Sequence, residues 1–297
     1  MKNNQLMIYG AYGYAGELMV REAVAQGLRP IIAGRDDEKL KPIATELSLE
    51  CRAFGVRNTG SNLQDISVLL NCAGPFSATA EPLARACLAQ QIHYLDITGE
   101  IDIFRKCHAL DEEARQQNVL ILPGAGTDIV PTDCLAAMLK EKLPVATRID
   151  LALSFGTNPS IGTVNTMIES FGKGGLIREG GMLKVVSNAF QMRKIPFQNK
   201  PQWAMTIPWG DVFTSGISTG VPDGAVYMAM PRMSIYMIRL TNPVKGILNT
   251  QFGQKITKRL AGWLMKKGPD AKALEAGRGQ FWGEAEAPDG EKLEMTM

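Results

Sequence analysis

Three glycines at regular spacing near the start of the chain are the first candidates for chemistry. Gly10, Gly13 and Gly16 lie every third residue in the stretch LMIYGAYGYAGELMV, between an apolar run and a helical pattern. Glycine lets the backbone take a positive φ or approach a ligand to contact distance, and a helix N-terminus attracts phosphate groups. The spacing G-x-x-G-x-x-G is one residue longer than the common dinucleotide fingerprint. It predicts a phosphate cradle, with a glycine-rich turn that binds nothing as the alternative.

The surrounding elements must place these glycines at the edge of a sheet. Short apolar segments alternate with amphipathic segments of about 10 to 15 residues, which is typical of βαβ units and a parallel sheet. The predicted strands after the glycines cover 29–34, 51–56, 68–71, 94–97 and 119–122, and the predicted helices cover 37–47, 80–90 and 101–117. This order predicts a doubly wound, Rossmann-type α/β domain whose first turn binds a pyrophosphate. The predicted cofactor contacts in that turn are Gly10, Tyr12, Gly13, Tyr14 and Gly16.

The end of the second strand indicates which dinucleotide is preferred. An acidic residue there binds the ribose 2′-hydroxyl of NAD, and an arginine accommodates the 2′-phosphate of NADP. The strand closes with AGR, and Asp36 stands twenty positions beyond Gly16, which is the count of an NAD enzyme. We assign Asp36 and Asp37 to the N-terminus of the next helix, where carboxylates cap it. NADP is then favoured over NAD through Arg35; the alternative is a solvated Arg35 that pairs with these aspartates.

The stretch NCAGPF, at the end of the fourth strand, is a second glycine-bearing turn. Ligands of doubly wound sheets bind at the carboxyl ends of the strands. The position of the turn, beyond the pyrophosphate turn, suggests contact with the nicotinamide half of the cofactor. Ala73, Gly74 and Pro75 are therefore further predicted cofactor contacts.

Four side chains near the next strand ends are candidates for proton transfer. The fifth strand carries HYLDITGE, with Tyr94 and Asp96 on one face and Glu100 after the turn, and Asp128 follows the sixth strand. Hydride transfer needs no protein nucleophile, because the nicotinamide carries the chemistry and the protein supplies orientation and at most one proton. A tight turn and a helix cap explain Glu100 and Asp128 without any ligand. The catalytic residue stays unassigned among these four.

The pattern changes after residue 130. A helical segment, PTDCLAAMLKEKL, begins at Pro131, and residues 147–155 then alternate apolar and polar as an antiparallel strand does. The sequence therefore predicts a dinucleotide-binding domain over 1–130. A second α+β domain with a mixed or antiparallel sheet is predicted over 131–297, for the substrate and for dimer formation.

The composition excludes several classes of protein. A formal charge of +2 with 21% charged residues predicts neither nucleic-acid binding nor an acidic partner. Five cysteines without C-x-x-C, and no cysteine–histidine cluster, indicate neither a disulfide scaffold nor a metal site. There is no signal-peptide pattern and no apolar run of about 18 residues. We expect a cytoplasmic protein that acts on a small molecule.

Five stretches together resemble a known family. GAYGYAG, AGR, NCAGPF, YLDITGE and GTDIVPTD are similar to the saccharopine dehydrogenase-like NADP-binding oxidoreductases, and to the branch that includes the mycobacterial trans-acting enoyl reductases. The likeness spans about the first 135 residues, with a looser echo in PWGDVFTSGISTGVPD. It implies an NADP(H)-dependent oxidoreductase for an apolar, acyl-type or amino-acid-adduct substrate bound at the domain interface. The alternative is a non-catalytic NADP-sensing protein.

The resemblance also concerns the end of the chain. Members of the family usually continue beyond a segment like FWGEAEAPDGEKLEMTM, so this chain is expected to be truncated by one strand and one helix. The truncation would leave an exposed sheet edge, which invites pairing with a second copy in a homodimer.

A basic amphipathic segment covers residues 245–267. Apolar side chains recur in it at helical spacing, and six lysines and arginines occur without an acidic residue. This pattern predicts a peripheral membrane or lipid contact, because such helices bind anionic surfaces. A helix packed on its own domain with a solvated basic face is the alternative.

Overall fold

The computed structural model describes residues 5–155, 174–198, 200–244, 250 and 279–297. The chain divides into two compact units, Met1–Val130 and Pro131–Met297. Apart from Thr250, the predicted basic segment 245–267 lies outside the described residues.

The first unit is built on a six-stranded parallel sheet with the order β3-β2-β1-β4-β5-β6. The strands are β1 (Leu6–Tyr9), β2 (Ile31–Gly34), β3 (Cys51–Ala53), β4 (Val68–Asn71), β5 (His93–Asp96) and β6 (Ile121–Leu122). The strand order reverses between β1 and β4, and a doubly wound sheet binds its ligand at such a switch point. All six carboxyl ends therefore face the edge where the candidate residues were predicted.

Helices cover both faces of this sheet. They are α1 (Tyr14–Ala25), α2 (Asp37–Leu47), α3 (Phe76–Ala89), α4 (Ile101–His108) and α5 (Asp111–Gln116), with a 3₁₀ turn at Gly60–Leu63. Alternate residues of β1 enter two separate apolar clusters, since Met7 and Tyr9 pack with α3, α4 and α5 while Ile8 packs with α1 and α2. A strand buried on both faces is nearly continuously apolar, which is why 6–9 reads LMIY.

The predicted helix over 101–117 is two helices in the structure. The chain turns at Ala109 and Leu110, and Leu110 is buried in the core. Three acidic residues then occupy the first turn of α5, where they favour a helix N-terminus. An amphipathic pattern does not reveal such a break, because both halves keep the same apolar face.

The described residues of the second unit form a mixed sheet of eight strands. The main path is β10-β11-β12-β7-β13-β14, and β8, which pairs with both β12 and β9, lies off it. The strands are β7 (Arg148–Phe155), β8 (Gly175–Glu179), β9 (Met182–Val186), β10 (Met192–Pro196), β11 (Pro201–Ile207), β12 (Asp223–Ala229), β13 (Gly279–Glu286) and β14 (Lys292–Thr296). The strand predicted as antiparallel, β7, pairs antiparallel with β13 but parallel with β12. The predicted fold class, a Rossmann domain with a second α+β unit, is confirmed.

The helices that the structure describes beside the second sheet are α6 (Val130–Lys142), α7 (Asp211–Thr219) and α8 (Arg232–Leu240), with a 3₁₀ turn at Asn242–Val244. Within the described parts of the chain, every helix is too short or too polar to span a lipid bilayer. Leu135 and Leu139 of α6 pack over Gly283 of β13. On the same sheet, Arg193 stacks against the rings of Tyr227 and Trp282, with its guanidinium carbon 5.7 and 4.8 Å from the ring centroids.

Two glycines of this sheet differ in what surrounds them, and this difference is testable. A Cβ on Gly224 would lie 2.5 Å from the backbone oxygen of Ile149, whereas one on Gly283 would lie 2.6 Å from a terminal methyl of Leu139. A methyl group can rotate away but a carbonyl within a strand cannot. We expect Gly224→Ala to lower the free energy of unfolding by about 1–3 kcal/mol, and Gly283→Ala to lower it less.

Urea unfolding followed by tryptophan fluorescence measures this difference, because all four tryptophans lie within 131–297. Equal losses in the two variants would contradict the packing described for β7 and β12.

Candidate functional site

The turn between β1 and α1 forms the first part of the site. Gly10 has φ +84°, and its amide and that of Ala11 both donate to the Ala33 carbonyl, at 2.7 and 3.2 Å. The amide of Gly13 donates to the Gly10 carbonyl at 3.0 Å. Gly13 is the N-cap of α1 and forms no side-chain cap. Helix N-termini without a cap present backbone N–H groups and a partial positive charge, which suit a pyrophosphate.

The three predicted glycines have different reasons for being glycine. A Cβ on Gly10 would lie 2.7 Å from the Ala73 nitrogen, and one on Gly16 would lie 2.2 Å from the Gly10 oxygen. These two positions are therefore bare because of contacts within the chain. Gly13 has only the Gly10 oxygen nearby, at 3.2 Å from a built Cβ. Of the three, Gly13 is the one whose missing side chain leaves the helix N-terminus open to a ligand, so the turn fits a phosphate cradle.

Two tyrosines flank this cradle. The Tyr12 ring lies against Gly34, where a built Cβ would be 2.6 Å from a ring carbon. Lys39 of α2 places its ammonium 5.7 Å from the centroid of the same ring. Tyr14 is the first residue of α1, and its side chain is exposed. Tyr12 thus lies beside the end of β2, and Tyr14 lies at the solvent-exposed side of the turn.

The end of β2 carries the residues that distinguish the two dinucleotides. Asp36 is the N-cap of α2, and its carboxylate accepts a hydrogen bond from the Lys39 amide at 3.3 Å. The same carboxylate pairs with the Lys39 ammonium at 3.3 Å. Arg35 is exposed and forms no hydrogen bond or ion pair with the residues that the structure describes. The carboxylate is thus engaged by its own helix, and the first charged side chain beyond β2 is the arginine.

The turn after β4 lies directly beside the β1 turn, since Gly10 packs against Ala73. Ala73 is half-buried, whereas Gly74 and Pro75 are exposed at the edge of the sheet. Pro75 is the N-cap of α3 and, like Gly13, leaves its helix without a side-chain cap. Both turns therefore present backbone at the same edge of the sheet.

Tyr94 and Asp96, two of the candidates for proton transfer, are fully buried. The Tyr94 hydroxyl donates to Asp96 Oδ2 at 2.8 Å, and the amides of Thr98 and Gly124 donate to Asp96 Oδ1 at 3.0 and 2.9 Å. Burial raises the pKa of the Asp96 carboxyl, and these three donors partly offset the rise. Burial also raises the pKa of the Tyr94 phenol well above its usual range. In this structure neither side chain reaches solvent, so neither is placed to touch a substrate.

Glu100 and Asp128, the other two candidates, are partly exposed at the same edge. Glu100 is the N-cap of α4, without a side-chain cap bond. An Asp128 carboxylate oxygen lies 4.0 Å from the position of a Cβ built on Gly99. Partial burial raises the pKa of the Asp128 carboxyl. Asp128 is therefore the accessible acid of this edge whose proton is held to higher pH.

Sequence reasoning missed three polar side chains at this edge, Asn71, Thr79 and Thr98. Asn71 and Thr98 are fully buried, and Asn71 donates to both Thr79 Oγ1 and the Tyr94 hydroxyl. The asparagine was visible as the first residue of NCAGPF, at a position where a parallel strand is otherwise apolar. Its partners could not be identified from spacing, because they depend on how β4 aligns with β5.

Metal chemistry finds no support at this edge. The described residues contain no group of three histidine, cysteine or acidic side chains that could hold a metal ion. Cys72 and Cys107 are buried near Asp96, and desolvation raises the pKa of each thiol to about 12. Such thiols stay protonated at neutral pH and are poor nucleophiles and ligands.

Comparison with known proteins agrees with this geometry. Residues 6–122 match the family described as the saccharopine dehydrogenase NADP binding domain. The match covers most of the first unit. The matched range begins at β1 and ends with β6, so it contains the cradle, Arg35 and the β4 turn. The resemblance predicted from the sequence is confirmed.

Relatives of the saccharopine dehydrogenase-like group extend the match into the second unit. A saccharopine dehydrogenase-like oxidoreductase of Rattus norvegicus is 25% identical over 231 residues, covering 68% of this chain and 53% of the relative. A protein of Mycobacterium tuberculosis, described as a candidate trans-acting enoyl reductase, is 28% identical over 205 residues, covering 62% of this chain and 44% of the relative. The chain thus spans about half the length of the curated relatives that it matches.

A solved structure shows the same fold. Apo saccharopine dehydrogenase (L-Glu forming) of Saccharomyces cerevisiae aligns with a TM-score of 0.65 over 99% of this chain and 84% of the yeast chain. The sequence identity is 9%, so this likeness concerns the fold alone. The family match and this likeness agree on the fold of the first unit.

The glycine geometry predicts that two substitutions lower the free energy of unfolding by different amounts. Gly16→Ala places a methyl group against the Gly10 carbonyl, so we expect it to lower the free energy of unfolding by about 1–3 kcal/mol. Gly13→Ala replaces one N-cap residue with a poorer one and should cost at most about 1 kcal/mol. Thermal unfolding followed by circular dichroism measures both. A larger loss for Gly13→Ala would contradict the distinction between the two positions.

Burial of Asp128 predicts a pH-dependent stability. Because its pKa is raised in the folded state, the ionised carboxyl lowers stability above the pKa of the unfolded chain, about 3.9. Asp128→Asn should therefore raise the free energy of unfolding at pH 7, and this gain should shrink as the pH falls towards 4. Urea unfolding across this range is the measurement. The exposed Asp102 is the control, and Asp102→Asn should give no gain; a loss of stability in Asp128→Asn at pH 7 would contradict the argument.

Proposed function

We propose that the protein is an NADP(H)-dependent oxidoreductase of the saccharopine dehydrogenase-like group. The observation that carries the choice of NADP is the end of β2. Asp36 caps α2, whereas Arg35 extends into solvent as the first charged side chain beyond the strand. A carboxylate occupied by its own helix is poorly placed for a ribose hydroxyl, and a guanidinium binds a phosphate with charge-assisted hydrogen bonds.

Three parts of the sheet edge would bind three parts of the cofactor. The α1 N-terminus around Gly13 would hold the pyrophosphate, since its amides and helix dipole attract the negative charge. Arg35 would hold the 2′-phosphate, with the Lys39 ammonium and the Tyr12 ring beside it. The β4 turn at Ala73–Pro75 would contact the nicotinamide half, because it lies across the switch point from β2.

The proposed reaction is hydride transfer. The bound nicotinamide would supply the hydride chemistry, and the protein would orient it and provide one proton. Asp128 is the proposed proton donor, because it is partly exposed at the correct edge and burial raises its pKa. A carboxyl that holds its proton to higher pH is a better general acid near neutral pH.

The substrate classes to test first come from the names of the relatives. These names point to amino-acid adducts of the saccharopine type and to enoyl chains. One hydride and one proton reduce a carbon–nitrogen double bond in the first class or a carbon–carbon double bond in the second, and the reverse reaction forms that double bond. Extract fractions that contain polar amino-acid derivatives should therefore be separated from lipid fractions in the search for a substrate.

Arg35 provides the test of cofactor choice. The unmodified protein should bind NADPH more tightly than NADH, and Arg35→Ala should weaken NADPH about tenfold or more while leaving NADH nearly unchanged, because only NADPH carries the 2′-phosphate. Titration of both cofactors by fluorescence measures the four affinities. The matched control is Arg115→Ala, which removes an exposed arginine of α5, before the amino end of β6. Equal affinity of the unmodified protein for NADPH and NADH would contradict the choice of NADP.

Catalysis can be tested before the substrate is known. NADPH deuterated at the transferring position should pass its label to a metabolite of a cell extract, and mass spectrometry would detect it. The label should also identify the substrate. The rival function, an NADP-sensing protein without catalysis, predicts tight binding with no transfer of deuterium from any fraction.

A further inference from the structure

A single buried chain of hydrogen bonds joins the carboxyl ends of β4, β5 and β6. Gly124, after β6, donates to Asp96 at the end of β5. Tyr94 donates to the other oxygen of Asp96, and its hydroxyl accepts from Asn71 at 3.1 Å. Asn71 in turn accepts from the amide of Ala73 at 3.0 Å. The chain therefore runs from the β6 turn to the β4 turn through side chains that are fully buried.

The direction of every bond in this chain is fixed. An ionised Asp96 can only accept, so the Tyr94 hydroxyl must donate to it and accept from Asn71. The Ala73 amide can only donate, so the oxygen of the Asn71 side chain must face it. The two amide hydrogens of Asn71 then go to Tyr94 and to Thr79. When every donor and acceptor of a network is used, the network has one arrangement. Removing one side chain then leaves the neighbouring polar groups without hydrogen-bond partners.

At the β4 turn, the network binds both the amide and the carbonyl of Ala73. The Ala73 amide donates to Asn71, and the Ala73 carbonyl accepts from Thr79 Oγ1 at 2.6 Å. Gly74 and Pro75, which follow, are exposed. The network thus fixes the peptide groups on either side of Ala73, where the chain leaves the sheet and turns along the edge. Ala73 also packs against Gly10, so the same contact reaches the β1 turn.

We propose that Tyr94, Asp96 and Asn71 are positioning residues for the nicotinamide half of the cofactor, and that Thr79 completes them. They act on the turn Ala73–Pro75 and transfer no proton to the substrate. This inference rests on the proposed NADP(H) function, since it requires the dinucleotide to cross from β2 to β4. The adenosine half would be held by Arg35 and α2, which lie outside the network, so the two halves of the cofactor should respond differently when the network is broken.

The test compares two ligands. NADPH spans both halves of the site, and 2′-phospho-ADP-ribose lacks the nicotinamide. Tyr94→Phe removes the bridging hydroxyl while keeping the ring that fills the core. It should weaken NADPH about tenfold and change the affinity for 2′-phospho-ADP-ribose less than about twofold. Isothermal titration calorimetry measures both affinities, and the fluorescence of the bound dihydronicotinamide should also change.

Two further variants separate positioning from general destabilisation. Tyr9→Phe is the matched control, because Tyr9 is a buried phenol of the same core that donates to the Phe54 carbonyl at 2.9 Å, beside β3. It should lower the melting temperature as Tyr94→Phe does, yet leave the ratio of the two affinities unchanged. Thr79→Val removes the bond to the Ala73 carbonyl from a half-buried position. It should reproduce the shift in the ratio even where Tyr94→Phe folds poorly.

The outcomes distinguish this inference from the function beneath it. If the unmodified protein binds both ligands but neither Tyr94→Phe nor Thr79→Val changes their ratio, the positioning role is wrong and the proposed function stands. A ratio shifted equally by Tyr9→Phe also overturns it, because the effect would then follow stability alone. If the unmodified protein binds neither ligand, the proposed function fails together with the inference.

Discussion

The close approach of the first and fourth strand turns is the contact on which the rest of the first unit depends. Gly10 has no space for a side chain because Ala73 lies against it, and Gly16 has none because the Gly10 carbonyl lies under α1. These contacts bring the start of α1 down onto the sheet edge at the switch point between β1 and β4. The backbone groups of two turns and two uncapped helix N-termini then share one surface. The surface proposed to bind phosphate therefore follows from packing, before any side chain is considered.

The two sides of this surface are stabilised by different kinds of interaction. On the β2 side, Asp36 caps its own helix through a bond three residues along the chain, and the ion pair with Lys39 is exposed and contributes little. On the β5 side, Asp96 is buried, which raises the pKa of its carboxyl, and three hydrogen-bond donors around it partly offset that rise. Burial of a carboxylate is costly unless it is fully hydrogen-bonded. The first arrangement tolerates change, whereas the second fixes three turns at once.

Sequence reasoning succeeded where the interactions are local. The cap at Asp36, the glycine turn and the helix over 37–47 each depend on neighbours within a few residues, and the sequence contains them directly. The network around Tyr94 depends instead on the register of β4 and β5, which places Asn71 beside Asp96 across 25 residues of chain. No periodicity encodes that register. The parallel pairing of β7 with β12 was missed for the same reason. The split of the predicted helix at 109–110 was missed because both halves keep the same apolar face.

The helix cap at Asp36 has a consequence for how this domain could change over evolutionary time. Because the cap is satisfied within α2, the neighbouring position 35 can vary without loss of the helix start. Under the proposed function, cofactor preference would be a separable trait, adjustable by one or two exposed positions, while the buried core would keep the geometry of hydride transfer. A descendant of this protein could then change between NADP(H) and NAD(H) and keep the same reaction. Redesign of the cofactor preference should begin at position 35 and leave the buried core unchanged.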